Sequence, residues 1–168
     1  MKSDCIFCQI VAGQLPACKV HEDNDTLAFM DIGPIIPGHT LVIPKLHVET
    51  LTAAPPAILQ KLILVAQNIA RAQLSAFKAD GVNVMQANGR AAGQVVPHLH
   101  FHVIPRFTTD GHHWNWKPHP YAKSEEMGVL AEKIKGALKK LKNVECRINP
   151  ESSFALNAER VKPRSADF

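Results

Sequence analysis

The sequence has no long uninterrupted apolar run: its most apolar stretch, Ile32 to Pro44, is broken by Gly33, Pro34, Pro37 and Gly38. A membrane-spanning helix needs about 20 consecutive apolar residues, so no membrane association is expected. The N-terminal MKSDCIFCQI offers no apolar core of the kind a secretion signal needs, and a cytoplasmic protein is the expectation. Cysteine is scarce. Four in 168 residues are too few for a disulfide framework in a chain of this length. An excess of one charge is also missing: 19 Lys and Arg against 15 Asp and Glu leave only +4. Much of that surplus sits in Lys133, Lys135, Lys139, Lys140 and Lys142, which read as a solvated helix face. With 6% aromatic residues there is no basic stripe interleaved with aromatics, so nucleic acid is not expected as a partner.

What is present is apolar content of 46%, enough for one domain with a core, and two alternating periodicities. Asp4 reads as the cap of a short helix, Cys5 to Ala12, ended by Gly13. HEDNDTLAFMDIGP (21–34) and GHTLVIPK (38–45) read as two strands of a hairpin around the turn GPIIPGH. From Pro55 to Ala79, Leu59, Leu62, Ile63, Ala66, Ile69, Ala70 and Leu74 recur at helical spacing, which predicts the long core helix. Asp80-Gly81 turns into VNVMQAN, and after the loop GRAAG a final strand should lie antiparallel to it. TTDGHHWNWKPHPY (108–121) reads as loop, Ser124 to Leu141 as a helix with acids first and lysines last, and Ile148 to Phe168 as an extended tail. Residues 1–107 thus form the main domain, with 108–168 an extension packed on it.

The final strand, QVVPHLHFHVIPRF (94–107), sets His98, His100 and His102 at every second position. In a strand such residues share one face. One histidine there would be an ordinary polar residue facing water; three in register after a Gly-rich loop suggest chemistry. A single ion held by all three is disfavoured by reach. The outer two backbones stand about 13 Å apart, whereas an imidazole plus a metal bond extends about 6 to 7 Å. A metal at one end of the row stays open, leaving the others for acid, base or nucleophilic work. His100, flanked on both sides, is the natural reacting group. The preceding NGRAAGQ places Asn88, Gly89, Gly93 and Gln94 in a loop whose amides can approach a phosphate. Alone it would be as readily a plain hairpin connection; beside an imidazole nucleophile it favours phosphoryl or nucleotidyl transfer. Cys5-x-x-Cys8, in a reducing compartment, suggests metal or redox chemistry, while Cys18 and Cys146 carry no such pattern.

HLHFHVI resembles the His-x-His-x-His-x-x signature of the histidine triad family of nucleotide hydrolases and transferases. The resemblance extends to CIFCQIVAG, FMDIGPIIPGHTLVIPKLH, DGVNVMQANG and AGQ, covering roughly residues 4 to 107 in order. It implies an α+β fold: a five-stranded antiparallel sheet with one long helix, here followed by a C-terminal helix, and two protomers joined through their sheets as a homodimer. It implies nucleotide substrates, purine nucleoside phosphates or dinucleoside polyphosphates, cleaved at the α-phosphate. Diadenosine polyphosphate hydrolysis leads, with nucleoside phosphoramidate hydrolysis or phosphorolysis as alternatives and non-catalytic nucleotide binding as the alternative of another class. By position, His100 matches the nucleophile, His102 the residue that contacts the phosphate and assists the leaving group, and His98 the orienting histidine. Asp31 matches the ribose-binding acid, and Asn88, Gly93 and Gln94 lie where the family binds phosphate. Some members carry a hydroxyl residue after that glutamine; here it is Val95. One branch holds a structural zinc, and the matching ligands are Cys5, Cys8, His47 and His98. His21 and His39 are given no role. His112, His113 and His119 lack cysteine partners, and Trp114 and Trp116 have no assignable one.

Overall fold

A computed structural model describes residues 2–113, 118, 120–121 and 123–148. Two compact units are present, residues 1–114 and 115–168. In the first, α1 (Ile6–Val11) precedes the strands β1 (Lys19–Glu22), β2 (Thr26–Met30) and β3 (Thr40–Pro44). Then come α2 (Pro56–Phe77), β4 (Gly81–Met85) and β5 (Phe101–Arg106). The strands form one sheet in the order β1-β2-β3-β5-β4, and every neighbouring pair is antiparallel. This is the expected α+β arrangement.

Alternation along the strands divides the core in two. Ala28, Val42, Phe101 and Val103 pack with Leu62, Val65 and Ala66 of α2. Leu27, Phe29, Leu41 and Ile43 pack with Cys5, Phe7, Cys8 and Ile10 at α1. Because both faces are covered, β2 and β3 are apolar at nearly every position instead of alternating with polar residues. The catalytic candidates belong to the α1 side.

Several local expectations are corrected. Asp4 does not cap α1: Cys5 is the N-cap and no side chain bonds there. The helix does stop where foreseen, with Gly13 at φ +73°. The segment 21–34 is not one strand. Asp23 Oδ1 accepts from the N–H groups of Asp25 (2.8 Å) and Thr26 (2.6 Å), a turn that separates β1 from β2 and supplies the fifth strand. On α2, Ile63 and Leu74 are exposed, while Gln73 is buried. Its Nε2 donates to the carbonyls of Gly38 (2.9 Å) and Val103 (3.0 Å), which is why a polar residue sits there. Regular pairing of the last strand begins at Phe101, so His98 and His100 lie just ahead of it.

Gly38 carries the turn into β3 at φ +99°. A Cβ there would stand 2.7 Å from Phe77 and 2.9 Å from Pro105, which is buried within β5. Gly38→Ala is therefore expected to cost about 2–3 kcal/mol through overpacking and an unfavourable φ. A denaturant midpoint equal to wild type would contradict this.

In the second unit, α3 spans Ser124–Ile148 and runs past the expected end at Leu141. Glu125 and Glu126 occupy its first turn, where they complement the helix dipole. Glu132 pairs with Lys135 at 2.7 Å. The tail from residue 149, and His119, Trp114 and Trp116, lie outside the described residues.

Candidate active site and metal-ligand cluster

Ring tautomers follow from what each imidazole touches, because a carbonyl can only accept. His98 is fully buried, and its Nε2 lies 2.9 Å from the Pro44 carbonyl. That nitrogen must donate, so Nδ1 carries the lone pair. It faces Cys5 Sγ at 3.4 Å, Cys8 Sγ at 3.7 Å and His47 Nδ1 at 3.3 Å. Cys8 Sγ is in turn 3.3 Å from His47 Nδ1. A tetrahedral zinc with nitrogen at about 2.0–2.1 Å and sulfur at about 2.3 Å has ligand–ligand edges of roughly 3.3–3.8 Å. The four measured edges match that figure. Burial pushes the Cys8 thiol pKa up, a penalty on the thiolate that a cation at this point would offset. The two thiols and two imidazoles on three separate segments therefore fit a tetrahedral metal.

His100 is oriented by the same residue. Its Nδ1 donates to the His98 carbonyl at 2.6 Å, leaving the Nε2 lone pair as the reactive one. The Phe7 ring meets both imidazoles edge-on, 5.8 Å from His98 and 5.4 Å from His100. The His100 and His102 rings are 4.9 Å apart. The row thus splits by function: His98 turns to the cysteines, and His100 and His102 stand together.

Sequence reasoning missed His39. It is 2% exposed, and its Nε2 lies 2.9 Å from His102 Nδ1. The Ile35 N–H donates to His39 Nδ1 at 3.3 Å, so the His39 proton resides on Nε2 and is given to His102. His102 then keeps its own proton on Nε2, as a donor. Burial lowers the pKa of His39, which keeps it neutral and compatible with this chain of bonds. Asp31 Oδ2 lies 3.5 Å from His39 Nδ1, and Oδ1 accepts from Gly33 N–H at 2.9 Å. The signal for His39 was register: it sits two residues before Leu41, which pairs with His102, but that pairing is visible only once β3 and β5 are adjacent. His21 lies near the surface beside Asp23.

The loop 88–94 is shaped by two glycines, Gly89 at φ +80° and Gly93 at φ +89°. Both ends of the Gln94 amide are engaged within the protein: Oε1 accepts from Gly89 N–H and Nε2 donates to the Glu49 carbonyl, each at 2.7 Å. Asn88 Oδ1 accepts from Leu51 N–H at 2.7 Å. These amides shape the loop.

A family model described as the HIT domain matches residues 12–109, and that span contains the whole histidine row. The chain belongs to the HIT domain family. It is 44% identical over 117 residues to the protein hit of Bacillus subtilis, covering 69% of this chain and 81% of that one. An adenosine 5'-monophosphoramidase of Candida albicans is 36% identical over 148 residues, 84% of this chain and 95% of the relative. An adenylylsulfatase of Arabidopsis thaliana is 40% identical over 110 residues, but the match spans only 56% of that longer protein. Among solved structures, one from Streptococcus mutans superposes with a TM-score of 0.77 at 42% identity, covering 82% of this chain and 87% of that one. A zinc-bound histidine triad protein of Mycobacterium smegmatis gives 0.62 at 40% identity, covering 84% and 98%.

Two residue groups could hold a metal ion among the described residues: the Cys5, Cys8, His47, His98 cluster, of which Cys5 and Cys8 precede the matched HIT domain, and Asp31, His39, His102. Neither includes His112 or His113. The His112 main chain is bound by Asp110 and Arg106, and the His113 side chain is exposed. The second group is better described as the hydrogen-bonded chain above, since His39 spends its Nε2 proton on His102.

Burial, and then the charge of His100, hold the His102 pKa down at about 4, against about 6.5 in an unfolded chain. The sign follows from linkage. The unfolded state takes up the proton first, so the neutral buried ring costs nothing above pH 6.5 and stability falls as pH drops from 6.5 toward 4. The urea midpoint is expected to decrease over that window, and His102→Gln to flatten part of the decrease. An unchanged slope in the variant would remove His102 as a source.

Proposed function

We propose that this HIT domain is a nucleotide hydrolase or transferase that cleaves nucleoside 5'-phosphate derivatives at the α-phosphate through a nucleotidyl-histidine. The observation that carries the reading is the bond from His100 Nδ1 to the His98 carbonyl, which fixes the ring and leaves Nε2 as the nucleophilic nitrogen. Nε2 attacks the α-phosphorus and the bond from phosphorus to the leaving group breaks; the His102 Nε2–H hydrogen-bonds to the departing atom, which takes its proton from water. A second water then attacks phosphorus, releases a proton to solvent and displaces His100 with its lone pair restored. Main-chain amides of the loop 88–94 hold the phosphate oxygens, and the Asp31 carboxylate accepts from the ribose hydroxyls.

Two relatives carry names for cleaving adenylyl compounds with small leaving groups, a phosphoramidate and a sulfate. These substrates lead the reading, and dinucleoside polyphosphates, expected from the sequence, form its second arm. A zinc at Cys5, Cys8, His47 and His98 has a structural role, supported by the edge lengths and the zinc-bound relative. It supplies tetrahedral cross-linking of three chain segments. A cytoplasmic location fits two thiols that must stay reduced to bind it.

A homodimer is part of the same reading. β4 is an edge strand, with Val84 45% and Met85 37% exposed, and Leu64 on α2 is 59% exposed. An apolar edge of this kind is covered by strand pairing with a second copy.

The test is turnover of adenosine 5'-phosphoramidate, adenylylsulfate and diadenosine polyphosphates, each with and without inorganic phosphate. AMP release from the first two at higher kcat/KM than from the dinucleotides is expected. AMP binding with no turnover of any of them would leave a nucleotide-binding protein instead of an enzyme.

A further inference from the structure

The loop that shapes the phosphate site is tied to the chain segment that begins at a metal-ligand candidate. Two residues after His47, the Glu49 carbonyl accepts from Gln94 Nε2 at 2.7 Å. Two residues further, Leu51 N–H donates to Asn88 Oδ1 at 2.7 Å. One residue after His47, the Val48 carbonyl accepts from Leu99 N–H at 2.7 Å, holding the residue that separates His98 from His100. Residues 47–51 therefore join the metal-ligand cluster, the nucleophile's backbone and the loop.

Gln94 is the joint in this network. It is buried, and its amide spans from Gly89 N–H on one side to the Glu49 carbonyl on the other. These two bonds tie Gly89 of the loop to the main chain that leads back to His47.

We infer that Gln94 is a positioning residue that couples the metal cluster to the phosphate loop: metal bound at Cys5, Cys8, His47 and His98 holds the loop 88–94 in its phosphate-binding form, and a phosphate in the loop tightens the metal in return. The inference rests on the zinc and nucleotide readings above. Reciprocity is a thermodynamic requirement, since two ligands that favour the same arrangement of one network raise each other's affinity by an equal factor. Couplings of this kind amount to roughly 5- to 150-fold.

The experiment uses the zinc-loaded full chain and measures the rate at which zinc passes to a chromogenic chelator, with and without AMP. In the wild type, AMP should slow release about fivefold or more. Gln94→Ala should release zinc about tenfold faster, although it is not a ligand, and AMP should no longer slow the release. Gln94→Glu keeps an acceptor for Gly89 but cannot donate to the Glu49 carbonyl, and should match the alanine variant. Gln73→Ala loses buried bonds on the α2 side of the sheet and serves as a control for general destabilisation; its release rate should stay near wild type. Release from both Gln94 variants at the wild-type rate, or acceleration equal to that of Gln73→Ala, would overturn the coupling. If AMP does not bind the wild type, the nucleotide reading fails, while zinc release from the Gln94 variants still decides the link to the metal. A wild type that takes up no zinc overturns the inference together with the metal reading.

Discussion

His100→Ala is expected to lower turnover of the best adenylyl substrate by about three orders of magnitude or more, the scale of losing a covalent catalyst, while leaving the fold and AMP binding near wild type. The asymmetry follows from what the side chain does. His100 gives one hydrogen bond to a main-chain carbonyl and packs against Phe7 and His102, and it makes none of the bonds that hold the loop 88–94. The substitution removes the imidazole whose Nε2 lone pair is left available by the Nδ1 bond to the His98 carbonyl. His102→Ala should lose less, because a water can take the place of its N–H donor at the leaving atom. Acid quench of the wild type during turnover should trap an adenylated peptide spanning Gln94 to Arg106. A His100→Ala protein that turns over at a near wild-type rate would rule the mechanism out.

The second large effect is on stability. Cys8→Ser should abolish zinc binding and lower the melting temperature by roughly 10 °C or more, corresponding to several kcal/mol in a chain of this size. Cys8, Cys5 and His98 are all buried, and their ligand atoms point at one another. Without a cation, lone pairs converge in a space water reaches poorly, and the segments bearing Cys5, His47 and His98 lose their common anchor. Chelation of the wild type should act in the same direction, and readdition of zinc should restore the transition. Elemental analysis finding no zinc, or a Cys8→Ser protein as stable as wild type, would leave the two cysteines as packing residues.

His98 shows how the two effects meet in one residue. Its ring belongs to the cysteines and its carbonyl to His100, so His98→Ala is a poor probe of catalysis: loss of rate there mixes metal loss with misorientation of the nucleophile. The reach argument from sequence anticipated this division, since three imidazoles along an extended segment cannot converge on one ion. It did not show which end of the row turns to the cysteines.

Local chemistry made much of this protein legible before any coordinates. The spacing of His98, His100 and His102, the Cys5-x-x-Cys8 pair, the Gly-rich loop and the apolar period of α2 are properties of contiguous residues, and each narrows the backbone geometry available to it. Other features lie beyond that reach. A seven-apolar list for α2 could not show that Gln73 is buried and Ile63 is not, because that depends on where the sheet ends. The single strand expected over 21–34 failed because the Asp23 side chain offers the backbone N–H groups of Asp25 and Thr26 a turn instead of a ladder. Tertiary structure alone decided that His39 supports His102 and that Gln94 closes on Glu49. Such contacts are set by strand order and register, and register is decided by which apolar face each sheet residue buries, a condition that no short stretch of sequence contains.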